Sequence, residues 1–316
     1  MTLPPTSPLV FEPLFMERVW GGRRLETFFG KQLPPGKLIG ESWEIVDRPE
    51  AQSLVRQGPW RGKTLHELWV EKREETFGDG LPDSPRFPIL AKLLDARETL
   101  SLQVHPPPEI AESLGGESKS ELWYFAAVDE GAEIFAGLRT GVRPTEFKQA
   151  LANGTVAELV PRLAVKSGDS FFVPSGRLHA IGGGNLIVEI QENSDTTYRV
   201  FDWNRLGVAG KHRALHRAES MRAINFDDYE PTFVRQEDER LLGSPFVVER
   251  WELTAIRPAS ECAAFAIFVC LQGALKCGEM EARAGDFFLV PACGAESKLE
   301  PAAEGAALLR ITLPNR

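Results

Sequence analysis

Short runs in which apolar and polar residues alternate make up most of the chain, and they predict strands rather than helices. In LSLQVHP, residues 100–106, Leu100, Leu102 and Val104 fall on one face of a strand, because side chains alternate with a period of two. Gln103 and His105 share the opposite face. The strand thus has one apolar face, and its other face carries an amide beside an imidazole. This second face is either solvated or part of a site that uses both groups.

Two segments have the apolar spacing of helices instead. Residues 62–78 repeat leucine and tryptophan at helical spacing and end at a glycine. Residues 143–163 have a similar pattern, with Thr145 as the predicted N-cap and an interruption at Gly154 that indicates two short helices. Gly, Pro, Asp and Asn separate short apolar runs elsewhere, which favours a sandwich or barrel. The predicted fold class is therefore mainly β with helical insertions.

An internal repeat divides the chain. SGDSFFVPSG at 167–176 matches AGDFFLVPAC at 284–293, and each copy combines a Gly-Asp turn, an aromatic strand and a proline. The repeat predicts two β-modules of related construction. We expect a metal-binding domain at 1–205, a polar connecting segment at 206–242 and a smaller C-terminal module at 243–316.

The two copies differ in the residue that follows them. His179 follows the first copy, whereas the corresponding position of the second copy is Glu296. A metal or catalytic site is therefore expected in the first module, and the C-terminal module is predicted to be free of metal.

Composition and charge limit the classes of function. Of the 316 residues, 43% are hydrophobic and 26% are charged, and the net charge is −9. A nucleic-acid binder would normally carry a basic surface, so no nucleic-acid partner is expected. An anionic substrate would have to be attracted by a locally basic pocket.

The sequence also gives expectations about compartment. It has no leader with a charged and an apolar region, and no apolar run long enough to cross a bilayer. The four cysteines, at 262, 270, 277 and 293, form no CxxC pair and are expected to be thiols in a reducing compartment. These features predict a cytoplasmic protein without a membrane partner.

A second histidine motif complements Gln103 and His105. Gly168, Pro174, Gly176 and His179 have the spacing Gly-x5-Pro-x-Gly-x2-His, which is similar to the second metal-binding motif of the cupin barrels. The usual asparagine after the histidine is replaced by glycine. The resemblance implies a jelly-roll barrel in the first module and a cupin-like second module.

The remaining ligands of a cupin site normally come from a first motif with two histidines and a glutamate. Gln103 and His105 occupy the two-apart positions, and Glu121 begins the next apolar strand. With His179 they give two imidazoles, a carboxylate and an amide oxygen, a set that suits one zinc ion per chain. The other histidines, 66, 212 and 216, are interpreted as ordinary helix or connector residues.

Several motifs in order resemble those of the type I phosphomannose isomerases in their short bacterial form. The motifs are QVHP, a lysine two residues before a glutamate, PSGxxHAIG, and SDTTYRVFDWNR, within roughly the first two-thirds of the chain. The resemblance assigns the zinc to Gln103, His105, Glu121 and His179. It also implies active-site roles for four further residues, Lys119, Glu189, Asp195 and Arg199. Ser120 and the HPPPE sequence depart from the family pattern, so the entrance loop is expected to differ.

The resemblance implies a zinc-dependent isomerase that interconverts mannose 6-phosphate and fructose 6-phosphate through a cis-enediolate. The sequence leaves the general base open among Glu189, Asp195, Lys119 and a metal-bound water. It leaves the phosphate contact open among Lys119, Arg205 and backbone amides. The alternatives are an isomerase of the same build acting on another sugar and a non-catalytic cupin that binds sugar or metal. A monomer or weak homo-oligomer is expected.

Overall fold

The computed structural model describes residues 7–207, 210–235, 239–260, 264–294 and 297–314. The strands are β1 (Leu14–Gly22), β2 (Ile39–Ile45), β3 (Asp47–Arg48), β4 (Ala51–Gln52), β5 (Ile89–Ala96), β6 (Leu102–Val104), β7 (Glu121–Val128), β8 (Glu133–Ala136), β9 (Arg162–Ala164), β10 (Ser170–Val173), β11 (His179–Ile181), β12 (Asn185–Glu192), β13 (Tyr198–Phe201), β14 (Arg240–Leu242), β15 (Val247–Leu253), β16 (Arg257–Pro258), β17 (Ala266–Cys277), β18 (Met280–Arg283), β19 (Phe287–Val290) and β20 (Lys298–Thr312). The helices are α1 (Arg24–Thr27), α2 (Leu65–Glu71), α3 (Arg73–Phe77), α4 (Pro108–Ala111), α5 (Pro144–Asn153) and α6 (Arg217–Ala223), with 3₁₀ turns at Glu112–Leu114, Val156–Leu159 and Ala292–Gly294. The predicted class, mainly β with helical insertions, is confirmed.

The first module is a sandwich of two antiparallel sheets. One sheet has the order β1-β2-β5-β12-β7-β10, and the other has the order β13-β6-β11-β8-β9. Apolar side chains from both sheets form one buried cluster, in which Trp123 and Phe171 from the first sheet meet Ile134 and Ile181 from the second. This packing holds the two sheets face to face, so residues on their inner faces can converge on one point.

The C-terminal module is a seven-stranded antiparallel sheet with the path β14-β15-β20-β17-β18, to which β16 and β19 add. It shares a core with the first module. Phe265 packs against Phe77 and Phe87, with ring centroids 5.4 and 5.5 Å apart. The backbones of Leu9 and Leu289 exchange hydrogen bonds of 2.7 and 2.9 Å. The expected connecting segment, 206–242, contains α6 and β14, and β14 pairs with β15.

The repeated sequence forms the same turn in both modules. Gly168 and Gly285 have φ values of +92° and +89°, in the region that favours glycine. The aspartate that follows each of them accepts a backbone hydrogen bond at its Oδ2 atom from the residue three positions before it, at 2.8 Å for Asp169 and 3.0 Å for Asp286. The repeat therefore encodes a real structural unit.

The strands that follow these turns pair with equivalent partners. Phe171 stacks on Trp123 at 6.0 Å between ring centroids, and Phe288 stacks on Phe268 at 5.2 Å. Val173 and Val290 end the two pairings, opposite Glu121 in the first module and Ala266 in the second. In the described residues the C-terminal module thus has a methyl group where the first module has a carboxylate.

The helical segments follow their sequence signals, with one exception. Residues 62–78 form α2 and α3, and Thr64 caps α2 through a reciprocal capping box with Glu67. The predicted cap at Thr145 is wrong. α5 begins at Pro144, which needs no N–H partner in the first turn, and Arg143 is the N-cap residue without a side-chain cap hydrogen bond. Gly154 ends α5 in the left-handed conformation, as its interruption of the pattern indicated.

Two further findings concern membrane-spanning helices and thiols. Among the described residues, the helices are too short and too polar for any of them to cross a bilayer. Cys270 and Cys277 are buried free thiols and Cys293 is exposed, whereas Cys262 lies outside the described residues. Burial raises the pKa of Cys270 to about 12 and that of Cys277 to about 11, so both thiols stay protonated and act as small apolar groups.

The two turn glycines allow a matched stability test of the contact between the modules. Alanine at Gly168 meets no atom within 4 Å, whereas alanine at Gly285 would approach the Phe29 side chain to 2.6 Å, and both positions have positive φ. We expect Gly168→Ala to lower the free energy of unfolding by about 1 kcal/mol through strain alone. Gly285→Ala should lower it by about 1–3 kcal/mol more, because the added methyl group overpacks the core. Urea unfolding of both variants measures the difference, and equal losses would contradict the contact.

Candidate metal centre and active site

Three buried side chains from the two facing sheets converge at one point. Glu121 begins β7 in the first sheet, His179 begins β11 in the second, and His105 follows β6, the neighbour of β11. The ligand atoms of these three residues all lie within 4.8 Å of one another. Nε2 of His105 lies 3.6 Å from Oε2 of Glu121, and Nε2 of His179 lies 3.4 Å from Oε1 of the same carboxylate.

The other nitrogen of each imidazole fixes its protonation. Nδ1 of His105 lies 2.8 Å from the carbonyl oxygen of Thr196, and Nδ1 of His179 lies 2.9 Å from that of Arg177. A carbonyl can only accept, so each Nδ1 carries the proton and each Nε2 presents a lone pair towards Glu121. Burial lowers the pKa of His105 and, for His179, lowers it to about 3, which keeps both rings neutral.

These three residues have the properties of a metal site. Nε2 of His105 and Oε1 of Glu121 are buried and make no hydrogen bond to any residue that the structure describes. Orphaned buried polar atoms are costly unless a ligand satisfies them. Two unprotonated imidazole nitrogens and one carboxylate match the donor set of a catalytic zinc site with an open position.

Gln103 lies beside this group, but its amide has the opposite orientation from the one a ligand needs. Its Nε2 atom is 3.3 Å from Nε2 of His179, and its Oε1 atom accepts a hydrogen bond of 3.2 Å from Ser101. A half-turn of the amide about its terminal bond exchanges the oxygen and the nitrogen. That rotation aims the oxygen at the three ligands, as the sequence-based assignment requires.

Lys119 and Glu189 extend the buried charges beyond Glu121. Nζ of Lys119 lies 2.7 Å from Oε2 of Glu121 and 4.0 Å from Oε1 of Glu189. Burial alone would lower the pKa of Lys119, but the two carboxylates outweigh it and raise the pKa above its ordinary value. Burial and the charge of Glu121 raise the pKa of Glu189, although two lysines oppose them. Lys119 is therefore a fixed cation, and Glu189 is a carboxylate with increased basicity.

A second set of charges continues this chain, and the sequence analysis missed it. Lys92 lies 3.4 Å from Glu189 and 3.9 Å from Glu41, which pairs with Arg18 at 2.9 Å. Burial would raise the pKa of Glu41, but Lys92 and Arg18 lower it to about 2. Cations and carboxylates thus alternate from the metal ligands to Arg18. The sequence signal was a lysine in the all-buried strand β5, where an unpaired charge would be prohibitive.

A cavity of about 600 Å³ opens beside these residues. All four residues with predicted active-site roles line it: Lys119, Glu189, Asp195 and Arg199. Gln103 and Glu121 line it too, so the cavity reaches the metal ligands. Its volume is in the range of small-molecule sites.

Arg199 lies in β13 directly opposite Gln103 of β6. Its Nη1 atom donates to the carbonyl of Ala214 at 2.9 Å, whereas its buried Nε atom has no hydrogen-bond partner. Burial, and then the charge of Arg213, lower the pKa of Arg199. Asp195 precedes β13, so the two residues reach the cavity from a loop and a strand rather than from one continuous strand.

The expected connecting segment contributes an unforeseen wall of the cavity. Gly207, Lys211, His212 and Arg213 line it, and we call these four residues the basic rim. His212 was interpreted as an ordinary connector residue, but it faces the cavity. Periodicity does not reveal such a wall, because the described residues of this stretch, 206–207 and 210–213, belong to neither a helix nor a named strand.

The other residues considered in the sequence have structural contacts. Nδ1 of His66 lies 3.1 Å from Asp47 in the core of the first module. Nδ1 of His216 accepts a hydrogen bond of 3.0 Å from the backbone of Arg199, so His216 fixes the strand that carries this arginine. Arg205 does not line the cavity; its guanidinium binds Asp202 and the carbonyl of Thr99.

Comparison with known proteins identifies the family. A family model described as the catalytic domain of type I phosphomannose isomerase matches residues 9–133. A Bacillus subtilis protein named probable mannose-6-phosphate isomerase GmuF is 36% identical over 313 residues, which cover 95% of this chain and 98% of the relative. The chain belongs to the type I phosphomannose isomerase family. The resemblance inferred from the motifs is thereby confirmed.

Two further comparisons extend the likeness over the whole chain. The mannose-6-phosphate isomerase of Streptococcus mutans is 37% identical over 297 residues, covering 89% of this chain and 92% of that protein. The crystal structure of the mannose 6-phosphate isomerase from Bacillus subtilis has a TM-score of 0.85 and 33% identity, covering 97% of this chain and all of that one. The fold of the type I phosphomannose isomerases therefore includes the C-terminal module, where the motifs matched only weakly.

We expect one divalent metal per chain, held by the three converging ligands. His105→Ala and His179→Ala should each lose it, because two remaining protein ligands and an amide hold zinc poorly. His66→Ala is the control, since this histidine contacts Asp47 and lies in α2. Elemental analysis after dialysis measures the metal in each variant. Metal retained at one per chain in the double variant of His105 and His179 would exclude the site.

Proposed function

We propose that the chain is a zinc-dependent isomerase that interconverts mannose 6-phosphate and fructose 6-phosphate through a cis-enediolate. The observation that carries this proposal is the buried group of His105, Glu121 and His179 beside a cavity with charges of both signs. The names of the relatives from Bacillus subtilis and Streptococcus mutans support the choice of substrate.

In this proposal His105, Glu121 and His179 hold the zinc ion, and Gln103 joins them after its amide has turned. The orphaned nitrogen and oxygen of His105 and Glu121 support this assignment. When bound, the zinc ion supplies a Lewis acid that holds oxygens of the sugar and polarises its carbonyl group.

The isomerisation moves a proton between C1 and C2 of the sugar, so it needs a base inside the cavity. We assign this role to Glu189. It is buried and lines the cavity, and its raised pKa brings it closer to the pH at which a base must work. Lys119 and Lys92 lie on either side of its Oε1 atom and fix its position. Asp195 is the second carboxylate of the cavity wall and would orient sugar hydroxyls.

Negative charge develops on the sugar oxygens when the proton leaves, and Arg199 is positioned to stabilise it. The arginine lies opposite Gln103 and therefore next to the ligand group, and its buried Nε–H has no partner in the protein. A donor of this kind interacts more strongly with the enediolate than with the neutral sugar.

The phosphate group needs a cationic surface, which the net charge of −9 does not provide globally. The basic rim provides one locally, with Lys211 and Arg213 beside Arg199. Arg205, which the sequence left as one possibility, binds Asp202 instead. We propose a cytoplasmic location, a monomer or weak homo-oligomer, and a small sugar phosphate as the partner.

The decisive experiment measures turnover of mannose 6-phosphate by protein stripped of metal and by protein reloaded with zinc. We expect activity only after reloading. Zinc bound at one per chain without turnover of any sugar phosphate would favour the non-catalytic cupin. Turnover of a different sugar phosphate alone would keep the isomerase and change its substrate.

Substitution of Arg199 tests the proposed stabilisation of the enediolate. We expect Arg199→Ala to lower kcat by about a hundred- to a thousandfold, the loss typical of an oxyanion donor. Arg199→Lys should fail nearly as badly, because lysine keeps the charge but loses the planar donor group. Steady-state kinetics measures both variants. Arg162→Ala is the control, since Arg162 pairs with Glu133 at 3.1 Å and does not line the cavity.

The kinetic pattern separates two roles for this arginine. A raised KM with unchanged kcat would make Arg199 a contact for the phosphate rather than for the enediolate. Unchanged values of both parameters would contradict the assignment altogether. Metal content should equal that of the unmodified protein, because Arg199 is not a ligand.

A further inference from the structure

Asp202 is a buried carboxylate that lies outside the cavity yet binds one of its walls. It is 5% exposed and directly follows β13. Its Oδ2 atom accepts a hydrogen bond of 2.7 Å from Nε of Arg213, and its Oδ1 atom accepts one of 2.6 Å from Nη2. Arg205 donates a further hydrogen bond of 3.0 Å from Nε to Oδ1. Arg205, at the end of the first module, and Arg213, from the connecting segment, are thus both fixed to one buried anion.

Asp202 stays ionised in this position. Burial alone would raise its pKa, but the hydrogen bonds and the charges of Arg213 and Arg205 lower the pKa below its ordinary value. An ionised carboxylate that accepts several charge-assisted hydrogen bonds is a strong anchor. Removing it would leave two guanidinium groups without their partner, which is costly in a buried setting.

The backbone next to Asp202 is held in an unfavourable conformation. Trp203 and Asn204 both have φ of +54°, a left-handed conformation that costs a residue such as tryptophan about 1–2 kcal/mol and that asparagine tolerates better. Trp203 donates a hydrogen bond of 2.7 Å to the carbonyl of Leu100, and its ring packs on Phe135 and Phe201 at 5.3 Å between centroids. Strain of this kind persists where the surroundings impose it, and it is concentrated at functional sites.

The strained turn and the anchor together determine where the basic rim lies. After the turn, Leu206 pairs with His212, and the N–H of Gly207 donates to the carbonyl of Lys211 at 2.7 Å. His212 also contacts the carbonyl of Arg205 through Nδ1 at 3.1 Å. The two ends of the rim therefore depend on Arg205 and Arg213, the residues that Asp202 binds.

The rim brings cations to the cavity wall, and Asp202 compensates Arg213 but does not pair with Lys211. Among the described residues, Lys211 has no ion pair, although it lines the cavity. Arg213 is close enough to Arg199 for its charge to lower the pKa of Arg199. The unpartnered Nε of Arg199 belongs to the same wall.

We infer that Asp202 is a positioning residue that sets the affinity of the cavity for an anionic substrate, by fixing Lys211 and Arg213 of the basic rim. The inference rests on the proposed function and identifies how that site recognises the phosphate group. Asp202 does not touch the substrate. It acts through the arginines and through the strained turn at Trp203 and Asn204.

Asp202→Asn tests the inference, because asparagine keeps the shape but removes the anchoring charge. We expect the variant to raise KM for mannose 6-phosphate and Ki for inorganic phosphate by about tenfold each, which corresponds to about 1.4 kcal/mol. The kcat and the zinc content should change by less than about threefold, since the reacting atoms are not touched. Glu249→Gln is the control, because Glu249 pairs with Arg310 at 2.7 Å in the C-terminal module.

Lys211→Gln provides a second variant that does not disturb the anchor. Lys211 is exposed, so the substitution should leave folding intact and still raise both constants. Unchanged KM and Ki in this variant, or a fall in kcat with unchanged KM in Asp202→Asn, would overturn the inference. Thermal unfolding of Asp202→Asn shows whether a loss of activity reflects a loss of fold.

Calorimetric titration of the zinc-loaded protein with inorganic phosphate separates this inference from the proposed function. Phosphate binding that Asp202→Asn and Lys211→Gln weaken supports the role of the rim even if mannose 6-phosphate is not turned over. Turnover of mannose 6-phosphate with phosphate binding unaffected by either variant would retain the function and reject the rim.

Discussion

The buried carboxylate of Glu121 must be compensated, and much of the first module is arranged around that requirement. It lies at the start of β7 between two sheets, facing the Nε2 atoms of His105 and His179, with Lys119 at 2.7 Å. An isolated carboxylate in such a place would take up a proton rather than stay charged. The charge of Lys119 instead keeps it ionised, with a pKa well below its ordinary value. This anion prepares the position for a cation.

The same requirement propagates outwards through the alternating charges. Glu189 compensates the charge of Lys119, and Lys92 compensates that of Glu189. Lys92 also contacts Glu41, which pairs with the half-buried Arg18, the last member of the series. Each member is neutralised by its neighbours, so no single substitution is local. Chains of buried ion pairs rarely add stability compared with apolar residues of the same size. Their value lies in holding fixed charges around a cavity where a substrate exchanges a proton.

The sequence predicted the residues of the candidate metal site better than the surrounding wall, for a physical reason. Period-two alternation and the Gly-x5-Pro-x-Gly-x2-His spacing are local signals, and they identified His105 and His179, which the sheet pairing then brings together. Lys92 stood out only as a charge within an apolar run, and Glu41 gave no signal, because their roles depend on strands that are neighbours only in the folded sheet. The sequence did not predict the basic rim, for a different reason. A polar segment between two modules has the composition of a linker, and only the folded structure shows that Asp202 anchors it over the cavity.

The shared core of Phe77, Phe87 and Phe265 ties the thermodynamics of the two modules together. Neither module can unfold without exposing aromatic surface that packs against the other, so unfolding of one module removes part of the core of the other. A ligand that binds only the folded state stabilises every element that unfolds with its site. We therefore expect zinc binding to increase the protection of backbone amides in β17 and β20, strands that contribute none of the proposed ligands. In this fold the stability of the C-terminal sheet should therefore change when a ligand binds in the cavity of the first module.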